Sequence, residues 1–513
     1  MRTKKVIRNT VFVIIEYIIV FVIGLFLPRL YIKTYGDDIN GVIGSISSYL
    51  SYFALIEAGI GGGIVYALFK PLNEKNAEKI NVIMATANKK YFIMGLIFST
   101  LVLIFASVFP FIIGAKELYL SIFSLVIVLS LPTIFDFFIF YKYSNFLRAT
   151  ENLHILSISK IIEKVLSLPA LLILINYKVD IIIVKLVLAT ISFFRAFLVA
   201  FFTHRKYKSL KFKNVKADNH TIKNPMDTFF STMVPKLITT TPVLIATLLI
   251  RFNSTITLSD ISVLTVYNII VVGIASVLSV FSSPLTPAIG RLIAGEDRNL
   301  VKKVFDEYQF FYYLIITIAF ICTIILLPSF IKIYTSGITD VNYNRPLLGI
   351  LLSFAFLLDT MRTPLDTLVH SSGLYRETRQ TNIIQAIIIG ITSTILGIFF
   401  GVEGVIAGVI IAALYRLIKL NALVPPLVFK ENNSNLTLKL IISSILMVLI
   451  IGLPTYALKI SINSILQWVL FALVIGICSL IIVVFAFFLI DKNTFKNVWV
   501  RFIGIFSKKK NTL

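Results

Sequence analysis

The feature that most constrains this chain is a run of 18 or more apolar residues that recurs along its whole length. Wound as a helix rising 1.5 Å per residue, each run can cross a hydrocarbon slab about 30 Å thick. No water reaches the backbone inside such a slab, so a crossing segment is either a helix or part of a closed barrel. Barrel strands alternate over about ten residues. These runs are continuous, so the chain reads as an all-α polytopic membrane protein. With 58% hydrophobic residues, 14% charged residues and a mean hydropathy of +0.92, nothing remains for a sizeable soluble domain. The opening "MRTKKVIRNTVFVIIEYIIVFVIGLFL" is read as a retained first span, because its apolar stretch is long, contains Glu16 and is followed by no small-x-small cleavage site.

Fourteen spans are predicted, at 9–30, 39–69, 90–113, 118–146, 154–177, 180–202, 226–252, 260–292, 305–331, 346–370, 378–400, 402–425, 437–458 and 462–490. The loops between them alternate between rich and poor in Lys and Arg. The rich set holds the N-terminus, "KPLNEKNAEKI", "HRKYKSLKFKNVKADNHTIKN", "RLIAGEDRNLVKK", "YRETR" and the "KKK" tail, and takes most of the 48 basic residues. The positive-inside rule places that set, and both termini, in the cytoplasm. The same distribution accounts for the net charge of +23 without a nucleic-acid partner.

The chain also repeats itself at an offset of 221 to 223 residues. Arg29 matches Arg251, Asp38 matches Asp260, and Asp136 matches Asp359. "YKVD" ending at Asp180 matches "FGVE" ending at Glu403, and "FFR" ending at Arg195 matches "LYR" ending at Arg416. This spacing predicts two pseudo-symmetric six-helix lobes of like orientation, 1–203 and 226–430, joined by a basic linker at 204–225. Two additional helices (431–490) and a basic cytoplasmic tail (491–513) follow. Transporters of that plan hold substrate between their halves near the bilayer midplane.

Charges inside the spans mark candidate sites, since each costs roughly 2.5–3.5 kcal/mol at the bilayer centre on insertion scales and therefore faces a bundle interior or a watery cavity. The segment "LLDTMRTPLDTLVH" places Asp359, Arg362, Asp366 and His370 at steps of three, four and four, which is one helical face. Arg29, Glu57, Lys236, Arg251, Arg362 and Asp359 are the candidates for a substrate cavity. Glu16, Asp136, Asp366 and His370 are the candidates for ion coupling. Structural readings stand beside these: Asp359 with Arg362 as a buried pair, Glu57 as a staple between helices, Lys185 and Arg195 as side chains snorkelling to an interface. Gly59, Gly61, Gly62 and Gly63 after Glu57, and Pro235 and Pro242 around Lys236, predict bent helices.

No phosphate-binding loop, zinc-protease motif or nucleophile elbow is present, and Cys322 and Cys478 have no metal-ligand spacing. The chain is therefore not expected to be an enzyme or to hold a metal or cofactor. Active transport would draw on an ion gradient, with H⁺ or Na⁺ as the coupling ion.

Three stretches carry a family resemblance: "YGDDINGVIGSISSYLSYFALIEAGIGGGIVYALFKPLNEKN", "FLRATENLHILSISKIIEKVLSLPALLIL" and "SSGLYRETRQTNIIQAIIIGITSTILGIFFGVEGVIAGVIIAALYR". The chain resembles the polysaccharide transporters of the multidrug/oligosaccharidyl-lipid/polysaccharide (MOP) superfamily, specifically Wzx-type flippases. The resemblance implies a MOP/MATE-like fold in a bacterial plasma membrane. It also implies a cargo of undecaprenyl-pyrophosphate-linked oligosaccharide, moved by alternating access for capsule, O-antigen or exopolysaccharide synthesis. Membrane lipids, a polysaccharide polymerase and glycosyltransferases are the implied partners. In that setting Arg29, Lys236, Arg251 and Arg362 are the candidates for the pyrophosphate, and the carboxylates bind a coupling ion or balance charge. A MATE-like cation or drug antiporter and a lipid II flippase are the alternatives on the same fold. A membrane glycan polymerase is disfavoured by the short external loops.

Overall fold

The computed structural model describes residues 2–208, 239–252, 256–279, 285–294, 298–338, 341–430, 435–452 and 464–507, with isolated positions between them. Lys236, His220, most of the 204–225 linker, the first part of the seventh predicted span and the end of the tail lie outside these residues.

Every described secondary-structure element is helical. In chain order they are α1 (Arg2–Tyr35), α2 (Asp37–Phe53), α3 (Ala58–Asn73), α4 (Ala77–Ile112), α5 (Tyr119–Phe135), α6 (Tyr141–Ala149), α7 (Leu153–Asn176) and α8 (Ile181–Lys206). Then come α9 (Thr241–Leu249), α10 (Leu258–Ser279), α11 (Leu285–Ala294), α12 (Arg298–Tyr334), α13 (Pro346–Met361) and α14 (Thr363–Ser372). The last four are α15 (Tyr375–Phe429), α16 (Asn435–Met447), α17 (Ile465–Ile490) and α18 (Lys492–Ser507). Ten of the described helical segments are long and apolar enough to cross a membrane. The 55-residue α15 contains two predicted spans. α7 adds another, its sequence broken by Lys160, Glu163 and Lys164, and the shorter α9 and α16 complete a plan of fourteen. Part of the predicted tail, α18, is helical.

Backbone breaks sit where the sequence removes donors or supplies glycine. A 3₁₀ turn at Ala54–Glu57 separates α2 from α3. Pro132 precedes a π turn at Asp136–Phe140, where the Tyr141 N–H reaches back to the Asp136 carbonyl. Arg362 separates α13 from α14, with Pro364 in the first turn of α14, where a missing N–H costs least. Tyr313 donates to the Met361 carbonyl at that break, at 2.7 Å. The two arms of α15 meet at Gly401, whose φ of +64° an L side chain rarely adopts. Gly404 and Gly408 then let the arms close: a Cβ at either position would overlap the backbone of Leu396 or Ser393.

The chain divides into two compact units, 1–266 and 267–513. In unit 1, α1 packs along α7, α4 along α5, and α8 against both α5 and α7. Asn9 and Tyr35 pin the two ends of α1: Asn9 meets the His154 ring at 2.9 Å, and the Tyr35 hydroxyl donates to the Val179 carbonyl at 2.6 Å. His204 likewise has a partner, the Tyr143 hydroxyl at 2.8 Å. Met84, Phe98, Phe109, Val126, Phe137 and Leu147 form the dry centre. A polar seam joins α2 to α9 and α10, with Asn40 donating to Ser262 at 2.8 Å and Ser45 2.9 Å from Thr247. In unit 2, α12 lies against α13, α16 and α17, and α13 packs on α15. Leu466, Leu473 and Phe485 on α17 are exposed, as a hydrocarbon-facing helix requires.

Candidate functional site

The membrane-embedded charges gather into three clusters, each built on a backbone irregularity or a helix crossing. In unit 2 the break at Arg362 carries the first. Arg362 Nε donates to Asp359 at 2.6 Å, one turn back, and its Nη1 pairs with Asp366, one turn ahead. The i−3 and i+4 spacing makes both contacts local. From the second arm of α15, Arg416 reaches the other Asp366 oxygen at 3.0 Å and Gln385 Oε1 at 3.0 Å. Two carboxylates thus face two guanidiniums, and Arg362 and Arg416 are both buried. The predicted stripe runs on to His370 near the end of α14, where the charges of Asp366, Arg362 and Arg416 still act on the ring. His370 is itself exposed, and its Nδ1 lies 3.3 Å from the Tyr375 hydroxyl.

Unit 1 holds the second cluster at the π turn. Arg195 on α8 pairs with Asp136 and lies 3.2 Å from Glu163 on α7. Ser192 donates to the other Glu163 oxygen at 2.8 Å, and Lys164 stands 3.6 Å from the same carboxylate. Arg195 therefore does not snorkel to an interface; it is buried and turned inward, over the Phe140 ring. Nearby, Glu16 on α1 is paired with Lys160 on α7 at 2.7 Å.

The third cluster surrounds Glu57. Tyr91 donates to its Oε1 at 3.0 Å, Asn145 donates to the Tyr91 oxygen at 2.5 Å, and the Tyr141 ring packs on Tyr91. A side chain at Gly61 would run into the carboxylate, so the glycine that follows Glu57 by one turn makes room for it. Among the described residues no Lys or Arg ion-pairs with Glu57. Arg29 is half-buried in α1 and Arg251 is exposed just after α9. Neither joins these clusters, and Lys236 lies outside the described residues.

Sequence reasoning therefore reached Asp359, Arg362, Asp366, Asp136, Glu57 and Glu16. It missed their partners Glu163, Lys160, Gln385, Tyr91 and Asn145, and it did not assign Arg416 a role. One signal was available: Lys160, Glu163 and Lys164 follow helical spacing through the middle of an otherwise apolar span.

No protein-family model matches the chain, and no curated protein matches it in sequence. Solved structures do. An inward-facing multidrug-resistance MATE transporter of the MOP superfamily superposes with a TM-score of 0.60 at 13% identity, covering 79% of this chain and 94% of that one. The MATE multidrug transporter DinF-BH, solved in complex with a ligand, gives 0.60 at 16% identity, covering 84% and 96%. A MOP-superfamily transporter from Pyrococcus furiosus, for which a reversed polarity of the binding pocket suggests a different function, gives 0.52 at 13%, covering 83% and 96%. At these identities the likeness establishes the fold: this is a multi-pass membrane protein with the architecture of MATE transporters of the MOP superfamily.

Proposed function

We propose that the chain is a transporter working by alternating access, and that its cargo is a lipid-linked oligosaccharide carried on a pyrophosphate, moved from the cytoplasmic to the outer leaflet of a bacterial plasma membrane. One observation carries the choice of cargo. Asp136, Glu163, Asp359 and Asp366 are each held by arginine, so these carboxylates are already neutralised and are poor sites for an organic cation. Glu57 is the exception. Hydrogen-bonded to the Tyr91 hydroxyl and the Asn145 amide, with the Arg148 charge acting from beyond ion-pair distance, it is the candidate for an H⁺ or Na⁺ that couples transport to a gradient. Arg29, Arg251 and Lys236 are the candidates for the pyrophosphate. Both termini face the cytoplasm in this reading, and a glycan polymerase and glycosyltransferases work on either side of the step.

The test is outer-leaflet appearance of the lipid-linked glycan in cells deleted for this chain. Loss, with accumulation on the cytoplasmic side, is expected; unchanged appearance in a strain without a second flippase rejects the reading. A MATE-like cation antiporter is the second reading, favoured by the absence of an ion pair at Glu57 among the described residues. Raised sensitivity of the deletion strain to cationic dyes, with normal glycan export, would establish it instead.

A further inference from the structure

Unit 1 carries a half-open cavity of about 260 Å³ between α1, α5, α7 and α8, separate from the Glu57 cluster. Its polar lining is Tyr31, Glu163, Lys164, Ser167, Lys185 and Ser192; the rest is apolar, including Leu27, Leu168 and Leu171. Lys185 is the unusual member. Lys160, Lys164 and Arg195, on the same two helices, each face a carboxylate. Among the described residues Lys185 has no ion-pair partner. Its Nζ sits 3.7 Å over the ring of Tyr31, a buried residue on α1, instead of reaching along the helix to water. The ring face is a weak counter-charge, worth about 2 kcal/mol at a desolvated site, less than the roughly 2.5–3.5 kcal/mol that a membrane-embedded ammonium costs.

The geometry identifies what would complete the site. The Glu163 carboxylate already receives Arg195 and Ser192, so it neither satisfies Lys185 nor leaves a full negative charge in the cavity. Lys164 is engaged by the same carboxylate, at 3.6 Å, so the charge left over in the wall is that of Lys185. The ligand is therefore an anion. The volume lies below the roughly 300–1,000 Å³ of drug-sized sites, which admits a phosphate group and excludes an oligosaccharide. Apolar walls beside the cation suit an attached hydrocarbon chain. We infer that this cavity binds the phosphate of an anionic membrane lipid, with Lys185 as its principal contact. The inference is independent of the cargo: it holds for a glycolipid flippase and for a cation antiporter alike.

Native mass spectrometry of the full chain in detergent tests it, with phosphatidic acid as the probe. The controls are a diacylglycerol of the same chains, which lacks the phosphate, and inorganic phosphate as competitor. Phosphatidic acid should be retained about tenfold more tightly than the diacylglycerol. Lys185→Met should remove that preference and Lys185→Arg should keep it. The melting temperature of Lys185→Met should be unchanged or raised, because an unpartnered charge has been replaced by an apolar side chain. Ala189→Leu, which narrows the cavity without touching charge, should weaken retention as well. Equal retention of both lipids, or full retention by Lys185→Met, overturns the proposal. Competition by inorganic phosphate at the concentration of the lipid assigns the site to free phosphate and overturns the lipid assignment.

Discussion

The charge clusters of the two units each pair carboxylates with arginine and reach neutrality by different routes. In unit 1 a single arginine, Arg195, faces two carboxylates that come from two other helical segments, and the balancing fourth charge is Lys164, whose side chain is one-third exposed. In unit 2 two buried arginines share the load, and both carboxylates sit within a turn of Arg362 on its own chain segment. The shared requirement is that no net charge be left in a low-dielectric interior, where an unpaired ion costs several kcal/mol. The difference is where the pairing is encoded. Unit 2 writes most of it into local spacing, whereas unit 1 depends on three segments arriving in register.

That contrast predicts unequal damage, largest where one residue holds several segments. Arg195→Leu leaves Asp136 without its cation and Glu163 with a partly exposed lysine, so about 3–5 kcal/mol of stability should be lost. Thermal unfolding of the purified chain would measure it. Replacing Asp136 and Arg195 together by leucine should recover most of that loss, since an apolar pair of similar volume needs no compensation. A double variant no better than Arg195→Leu would break the argument that charge balance governs this site.

The matching change in unit 2, Arg416→Leu, should cost less, about 1–3 kcal/mol, because Arg362 still holds Asp366. If it proved as harmful as Arg195→Leu, the local encoding of unit 2 would not be what stabilises it.

The same contrast explains what was legible beforehand. The spans could be read because an 18-residue apolar run has few other fates in a folded chain. The Asp359–Arg362–Asp366 chain could be read because i,i+3 and i,i+4 spacing places side chains together on any helix. Gly401, Gly404 and Gly408 were visible as a pattern, although its meaning, a sharp turn between two tightly packed arms, needed the backbone. Contacts between segments were not legible. Arg195 reaches Asp136 across 59 residues and Arg416 reaches Asp366 across 50. Those meetings depend on how each helix is rotated about its axis, which depends on packing with several neighbours at once. Arg195 looked like a candidate for snorkelling because its carboxylate partners are on other helices.

Glu57 separates stability from function. Glu57→Gln keeps an oxygen that can accept from Tyr91 and fits the space beside Gly61, so unfolding should shift by less than about 1 kcal/mol. Transport by proteoliposomes should nevertheless lose its dependence on the H⁺ or Na⁺ gradient, because a neutral amide cannot exchange a proton or hold a cation by charge. Retained gradient dependence would move coupling to another group.

The smallest effect belongs to His370. Its spacing puts it on the same face as Asp359, Arg362 and Asp366, yet α14 ends two residues later, before the left-handed Gly373. At that end the ring is exposed and its near contact is the Tyr375 hydroxyl, with the Asp366, Arg362 and Arg416 charges acting from farther off. His370→Gln should therefore change stability by less than about 0.5 kcal/mol, as for an exposed surface position, and leave transport intact between pH 5 and 8, the interval in which an ordinary histidine titrates. A pH profile of transport that moves with this substitution would extend the unit 2 cluster by one more turn and give it a titrating member that unit 1 has no counterpart for.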